Sequence, residues 1–293
     1  MYTRIEKINT VKIVQDNFKL VNSNNEVISG DIRYPSQKNN IPCIILSHGF
    51  QGFKDWGFLP YVSEKLANEG SITICINFSL DGMGNRTDIV EYPEKFATMT
   101  VSQEIEDVEF LVNKFVNGNV LRREIQNESW NGEIYLLGMS LGGGISIMTA
   151  NRNKNINKIA LWASIAKFDR YTPRQKNEWK VKKFIEFNNS VTKQVMKLNY
   201  SYIEDIEKHG EEYSLTDAIS ELKIPVLILH GAKDVSVPLK EAEMLVESSP
   251  YGMTEFHLIE KTGHTFGITH PFTKTTDALE QALEKTINFF GLK

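Results

Sequence analysis

Short, continuously apolar runs alternate along most of the chain with longer segments in which apolar residues recur every three or four positions. The apolar runs have the length of strands buried on both faces, and they lie within residues 41–47, 72–77, 134–137, 156–163 and 224–229. Residues 255–259 predict a further strand, in which polar and apolar residues alternate. The periodic segments predict helices at residues 60–68, 102–116, 239–248 and 275–290, with another after residue 140. This alternation predicts an α/β fold with a mostly parallel sheet flanked by helices.

The N-terminal part departs from this alternation. Residues 3–35 contain strand-like pieces at 12–14, 18–21 and 27–34, separated by Asn-rich turns, and we expect them to form an antiparallel edge of the sheet. The first residues contain no apolar core of signal-peptide length, and no apolar stretch is long enough to cross a membrane. We therefore expect a cytoplasmic protein.

A second departure lies in residues 165–222, which are polar, Lys-rich and dotted with aromatic residues. We interpret this segment as an inserted cap that lies over the site. The α/β core then consists of residues 1–164 and 223–293. Within the cap, residues 183–198 predict a hairpin, and a pair of surface helices is the alternative.

The charge balance bears on the kind of partner, and the cysteines bear on disulfides and metals. The chain carries 33 basic and 37 acidic residues, a net charge of −4, without a long basic run. Because nucleic acids and acidic membranes attract basic surfaces, we expect neither as a partner, and a small molecule as substrate of a monomer or homodimer. Cys43 and Cys75 lie inside apolar runs and are expected to be reduced. Without a cluster of metal ligands at suitable spacing, we expect no metal and no cofactor.

The stretch from residue 134 to 148 carries the strongest chemical signal. Its strand is followed by Gly138, Ser140 and Gly142 in a G-x-S-x-G arrangement, and a helical pattern begins directly afterwards. The glycines lack the Cβ atoms that would collide in so sharp a turn, so Ser140 is predicted to stand exposed at its apex. The N–H of Leu141 and the helix dipole can stabilise an oxyanion there. A Gly-rich turn with an incidental serine would show the same five-residue pattern.

A nucleophilic serine needs a histidine base that a carboxylate orients. Asp234 lies in the loop after the strand at 224–229, and His264 follows the last strand, beside Gly263. The order Ser140, Asp234, His264 is the one expected for this type of sheet. Because the carboxyl ends of parallel strands meet at one edge of the sheet, we predict that the three side chains meet there. Alone, a loop aspartate would be interpreted as a solvated side chain.

The loop after the strand at 41–47 provides the second predicted oxyanion donor, the N–H of Phe50, because Gly49 permits a close backbone approach. We expect His48 to be structural or to shape this loop through a hydrogen bond.

Candidate substrate contacts come from two regions. Gln51 could provide a polar contact, although a solvated side chain is an equal alternative. Phe184 and Phe187 in the cap could form an apolar wall of the pocket. Aromatic residues in an insertion also form small cores of their own, so this alternative stays open.

With these residues assembled, the chain resembles the α/β-hydrolase superfamily over nearly its whole length. Segments 48–57, 77–79 and 263–267 and the hairpin-like insertion resemble bacterial carboxylesterases of the cinnamoyl/feruloyl esterase type and their dienelactone-hydrolase-like relatives. The resemblance implies an eight-stranded sheet and hydrolysis of small carboxylic esters, aryl or hydroxycinnamoyl esters among them, through an acyl-enzyme. Dienelactone hydrolases proper carry a cysteine nucleophile, so the serine argues against that activity.

Two other functions are compatible with the same residues. A peptidase of the prolyl-oligopeptidase kind uses the same triad but carries a large extra domain, for which 293 residues leave no room. A ligand-binding protein could keep the fold without turnover, but it has no physical need for serine, aspartate and histidine together. Dehalogenases and epoxide hydrolases need an aspartate where Ser140 stands. The sequence therefore favours a serine esterase.

Overall fold

The computed structural model of the protein describes residues 12–189 and 192–292. Its strands are β1 (Ile13–Val21), β2 (Val27–Pro35), β3 (Ile41–Ser47), β4 (Ile72–Asn77), β5 (Trp130–Met139), β6 (Ile156–Trp162), β7 (Phe184–Asn188), β8 (Val195–Asn199), β9 (Val226–Gly231) and β10 (Thr254–Ile259). The helices are α1 (Leu59–Asn68), α2 (Pro93–Ala97), α3 (Val101–Val116), α4 (Arg123–Ser129), α5 (Leu141–Arg152), α6 (Pro173–Lys182), α7 (Ser201–His209), α8 (Leu215–Ser220), α9 (Leu239–Ser248) and α10 (Asp277–Phe290), with a 3₁₀ turn at Gly210–Tyr213.

Eight strands form one sheet in the order β1-β2-β4-β3-β5-β6-β9-β10. Strand β2 is antiparallel to both of its neighbours, and the other pairings are parallel. Every residue of β3, β4 and β9 is buried, as expected for strands that helices cover on both faces. The prediction of a mostly parallel eight-stranded sheet flanked by helices is confirmed.

The N-terminal edge differs in detail from its prediction. The pieces predicted at 12–14 and 18–21 belong to one strand, β1, which pairs with β2 along its full length. Polar Gln15, Asp16 and Asn17 interrupt the apolar pattern, but they lie on an exposed edge strand where their backbone can still pair. The part of this prediction that concerns residues 3–11 lies outside the described residues.

The hairpin predicted within the insertion is present. Strands β7 and β8 pair antiparallel, and Phe184 lies opposite Asn199. Residues 190 and 191, which belong to the predicted turn, lie outside the described residues. The surface-helix alternative is therefore wrong for this stretch, while helices α6, α7 and α8 occupy other parts of the insertion.

Residues 165–222, the predicted insertion, share their hydrophobic core with the sheet and its helices. Trp179, Leu198 and Tyr202 belong to the same buried cluster as Leu141 and Ile145 of α5. The Trp179 indole donates a hydrogen bond to the Leu198 carbonyl (3.0 Å) and stacks on Tyr202 at 6.2 Å between ring centroids. The insertion is thereby anchored beside the helix that follows Ser140.

Two smaller observations complete the fold. Within residues 12–189 and 192–292, none of the helices is apolar over a length that could span a membrane. Cys43 and Cys75 are both free thiols buried in adjacent strands β3 and β4. Burial raises the pKa of both thiols, and that of Cys75 reaches about 12, so they act as small apolar residues.

Candidate active site

Ser140 occupies a strained turn between β5 and α5. Its backbone has φ 55° and ψ −117°, a conformation that side-chain-bearing residues rarely adopt. A Cβ atom at Gly138 would lie 2.2 Å from the Gly142 carbonyl oxygen, so the turn can form only without one. The Ser140 N–H donates to the Trp162 carbonyl at 2.9 Å, which fixes the turn to the end of β6. Local geometry thus holds the serine at the carboxyl edge of the sheet.

We predict that Gly142→Ala is far more damaging than Gly144→Ala in the same helix. A Cβ at Gly142 would lie 2.5 Å from the carbonyl oxygens of Ser47 and His48, which are backbone atoms that cannot move without displacing the oxyanion loop. At Gly144 the nearest atom is Cδ1 of Leu215, at 2.9 Å, the mobile end of a side chain. Overpacking of this kind costs roughly 1–3 kcal/mol or more. Urea unfolding and ester turnover of both variants measure the difference, and equal losses would contradict it.

Asp234 and His264 form a hydrogen-bonded pair. Asp234 follows β9 and His264 follows β10, and the His264 Nδ1 lies 2.7 Å from the Asp234 Oδ2. The two loops also touch through their backbones, because the Lys233 N–H donates to the Thr262 carbonyl at 2.8 Å. The parallel pairing of β9 with β10 brings the two loops together, so the contact between Asp234 and His264 follows from the order of the strands in the sheet.

The Asp234 carboxylate is held in its charged form. Burial raises its pKa, but hydrogen bonds from His264 and from the N–H groups of Val237 and Ser236 outweigh burial and lower the pKa below its ordinary value. An ionised carboxylate only accepts hydrogen bonds, so Nδ1 of His264 carries the proton and Nε2 is left as a base. The second histidine nearby, His230, donates from Nε2 to the Val237 carbonyl (2.9 Å) and supports the same loop.

Ser140 and His264 line one cavity of about 310 Å³. Its walls include the apolar side chains of Phe50, Trp56 and Met139. In the described part of the chain, no hydrogen bond joins the Ser140 hydroxyl to His264, whose ring bonds to Asp234. Catalytic hydrogen bonds are often long without substrate and tighten when it binds. The cavity therefore brings the predicted nucleophile and the predicted base into the same space.

The backbone around Ser140 contains the two predicted oxyanion donors. The loop after β3 passes so close that a Cβ at Gly49 would lie 2.9 Å from the Ser140 Cβ, and the N–H of Phe50 comes next in the chain. Leu141 is the first residue of α5, where an N–H has no acceptor within the helix. Both amides belong to segments beside the serine, as an oxyanion hole requires.

The His48 side chain supports the loop that follows β3. Its Nδ1 lies 2.9 Å from the Gly49 carbonyl, to which it donates, and its ring packs edge-on against Phe78 at 4.8 Å. Its Nε2 faces the buried Asp81 carboxyl at 3.7 Å. Burial raises the pKa of Asp81, while the neighbouring His48 counteracts that effect. His48 thus shapes the oxyanion loop, one of the two roles expected from the sequence.

The three predicted substrate contacts lie in different places in the structure. Gln51 lines the cavity that contains Ser140. Phe187 packs against Phe50, a residue of the cavity wall, with 5.4 Å between the two ring centroids. Phe184 lies outside this cavity; its ring is covered by the Lys197 ammonium at 4.4 Å, and it lines a separate depression on the insertion.

A second cavity of about 420 Å³ also reaches Ser140, and the sequence did not point to its cationic residues, Lys167 and Arg170. It is lined by Lys167, Arg170, Tyr171 and Tyr202, all from the insertion. Their position in the sequence could have indicated them, because residues 167–171 follow β6 at the carboxyl edge of the sheet, where ligands bind in such folds. Among the described residues, no group of His, Cys, Asp and Glu side chains is arranged to hold a metal ion.

Solved structures define the fold. The chain matches the α/β hydrolase GrgF from Penicillium sp. sh18 (TM-score 0.69, 15% identity, 94% of this chain and 98% of that one). It also matches mouse alpha/beta hydrolase domain-containing protein 10 (0.66, 18%, 94% and 98%) and the esterase domain of a Rhodothermus marinus protein (0.61, 13%, 95% and 99%). No protein-family model and no curated protein matches the sequence. The chain has the α/β-hydrolase fold, as the sequence predicted.

Proposed function

We propose that the protein is a serine hydrolase that cleaves small carboxylic esters through an acyl-enzyme. The observation that carries the proposal is the single cavity in which Ser140 and His264 meet, with Asp234 bonded to the far side of the imidazole at 2.7 Å. A histidine oriented by a buried carboxylate is what a serine hydroxyl needs to become nucleophilic. That esterases are among the structural neighbours is consistent with the proposal.

The chemistry follows from this arrangement. The Ser140 oxygen attacks the ester carbonyl carbon while Nε2 of His264 takes its proton, and the N–H groups of Phe50 and Leu141 hold the oxyanion. The intermediate collapses as the carbon–oxygen bond to the alcohol breaks, and His264 gives its proton to the departing oxygen. Water then repeats the sequence on the acyl-enzyme, releasing the acid and restoring Ser140.

A pre-steady-state experiment tests the proposal. Mixing the protein with p-nitrophenyl acetate, p-nitrophenyl butyrate and methyl hydroxycinnamate is expected to give turnover, with a burst of p-nitrophenol close to one equivalent if deacylation is the slow step. Mass spectrometry of acid-quenched protein should find the acyl group on the peptide that contains Ser140. The methyl hydroxycinnamate arm tests the aryl preference that the sequence resemblance implies.

The same experiment discriminates between the alternatives. A peptidase would also cleave peptide p-nitroanilides, added as a second class of substrate, whereas an esterase would leave these amides intact. A ligand-binding protein would bind esters without releasing alcohol. Either result, or an acyl group on a residue other than Ser140, would refute the esterase proposal.

A further inference from the structure

The two cavities beside Ser140 have different places in the proposed reaction, on which this inference rests. Both are lined by Phe50, Ser140 and Arg170, but His264 lines only the smaller cavity and Leu141 only the larger one. The departing alcohol oxygen must lie next to His264 to receive its proton. The alcohol therefore occupies the smaller cavity, and the acyl chain extends into the larger cavity of about 420 Å³.

The larger cavity is rich in hydrogen-bond donors. Lys167, Arg170, Tyr171 and Tyr202 line it, and Glu241 is its only acidic residue among those described. Burial raises the pKa of both tyrosines, so their hydroxyls stay protonated and able to donate. Neither hydroxyl bonds to another described residue of the chain. This lining suits an acyl chain that brings oxygen acceptors with it.

Arg170 is held in place for such a group. Its Nη2 donates to the Glu241 carboxylate and to the Ser236 carbonyl, both at 2.8 Å. The other Glu241 oxygen accepts the Ala166 N–H at 2.9 Å, so both oxygens of that acid are engaged within the protein. The guanidinium has five donors, of which these bonds use only Nη2, and its planar fork fits a carboxylate. With Lys167 added, the cavity keeps an excess positive charge.

We propose that the larger cavity binds a carboxylate at the end of the acyl chain, with Arg170 and Lys167 as the residues that determine this specificity. The preferred substrates are then half-esters of dicarboxylic acids. An acyl chain that ends in a methyl group would leave the cationic and phenolic donors of the cavity without acceptors, which weakens its binding.

The test compares two matched pairs of esters. Mono-p-nitrophenyl adipate is paired with p-nitrophenyl hexanoate, and the pimelate half-ester with the heptanoate, so that each pair differs by a carboxylate in place of a methyl group. We expect the wild type to favour the charged member by about tenfold or more in kcat/KM, as for hydrogen bonds to charged groups. The ratio should fall with rising salt because the cavity is open to solvent.

Arg170→Met and Lys167→Met are expected to lower this ratio, the former by about tenfold or more. The ratio is the informative quantity, because Arg170 also supports the Ser236 carbonyl and its loss can slow both esters. Arg174→Met is the control, since the Arg174 side chain is 88% exposed and, among the described residues, pairs with Glu178 alone. It should leave the ratio unchanged.

The outcomes separate this inference from the proposed function. Hydrolysis of the neutral esters with no preference for the charged ones would overturn the carboxylate site and leave the esterase proposal standing. Equal losses on both esters in Arg170→Met would assign Arg170 a structural role only. If none of the esters is hydrolysed, the proposed function itself fails.

Discussion

Substitution of Ser140 with alanine is expected to lower kcat for ester hydrolysis by about 10⁵–10⁶-fold, the loss typical of removing the nucleophile from such a triad. The Ser140 hydroxyl is the proposed nucleophile, and Ser140 lines the same cavity as His264. Without it, only direct attack by water remains, assisted by the oxyanion donors. Stopped-flow or end-point assays with p-nitrophenyl esters measure the loss.

Two further readouts distinguish lost chemistry from lost structure. Alanine at this position keeps the strained backbone, with φ 55°, and removes only the hydroxyl, so the thermal unfolding midpoint should change little. Ser220→Ala, prepared in the same way, is the control for contaminating esterases, since the Ser220 hydroxyl bonds within the described part of the chain to the Asp217 carbonyl alone. An S140A protein with activity within tenfold of the wild type would rule out Ser140 as the nucleophile.

The strand ends and the serine turn could be predicted because their signals are local. Strands covered on both faces are buried at every position, as β3, β4 and β9 are, and are therefore mostly apolar, while the turn at Ser140 depends on glycines only two residues away. Once those strands are assigned, parallel pairing places Asp234 and His264 at the same edge of the sheet. The hydrogen bond between them follows from topology more than from their neighbours in sequence.

The helices of the insertion could not be predicted from hydrophobic pattern. In α6, Trp179 is the only buried residue, so the helix has no periodic apolar face. Its signal is instead a capping box, in which Thr172 and Gln175 exchange hydrogen bonds around Pro173. The capping residues predict this helix, whereas its hydrophobic pattern does not.

The predicted aromatic wall shows the limit of composition as a guide. Phe184 and Phe187 are three residues apart on one strand, so alternation directs their side chains to opposite faces of the hairpin. Only Phe187 packs towards Phe50, while Phe184 lies under Lys197. Arg170 reaches the cavity through tertiary contacts with Glu241, which no local pattern encodes.

The second large effect is expected from Asp234→Asn, which should lower kcat by about 10³–10⁴-fold. The N–H groups of Ser236 and Val237 donate to Oδ1, at 2.8 and 2.9 Å, so they hold the oxygen of the new amide at that position. Its NH₂ group must then face Nδ1 of His264 and donate to it. The imidazole proton moves to Nε2, and the ring can no longer accept a proton from Ser140.

Activity and stability of this variant should respond differently to pH. The lowered pKa of Asp234 stabilises the folded wild type fully above 3.8, the ordinary value, and this stabilisation is lost as pH falls through the folded pKa. The gap in unfolding free energy between wild type and D234N should therefore narrow in acid. The kcat defect should persist across neutral pH, where the wrong tautomer alone limits the reaction. Asp277→Asn, on the exposed first turn of α10, is the control for losing one charge. A D234N protein with more than about a tenth of the wild-type kcat would mean that His264 is oriented without the carboxylate, because the tautomer penalty is far larger than tenfold.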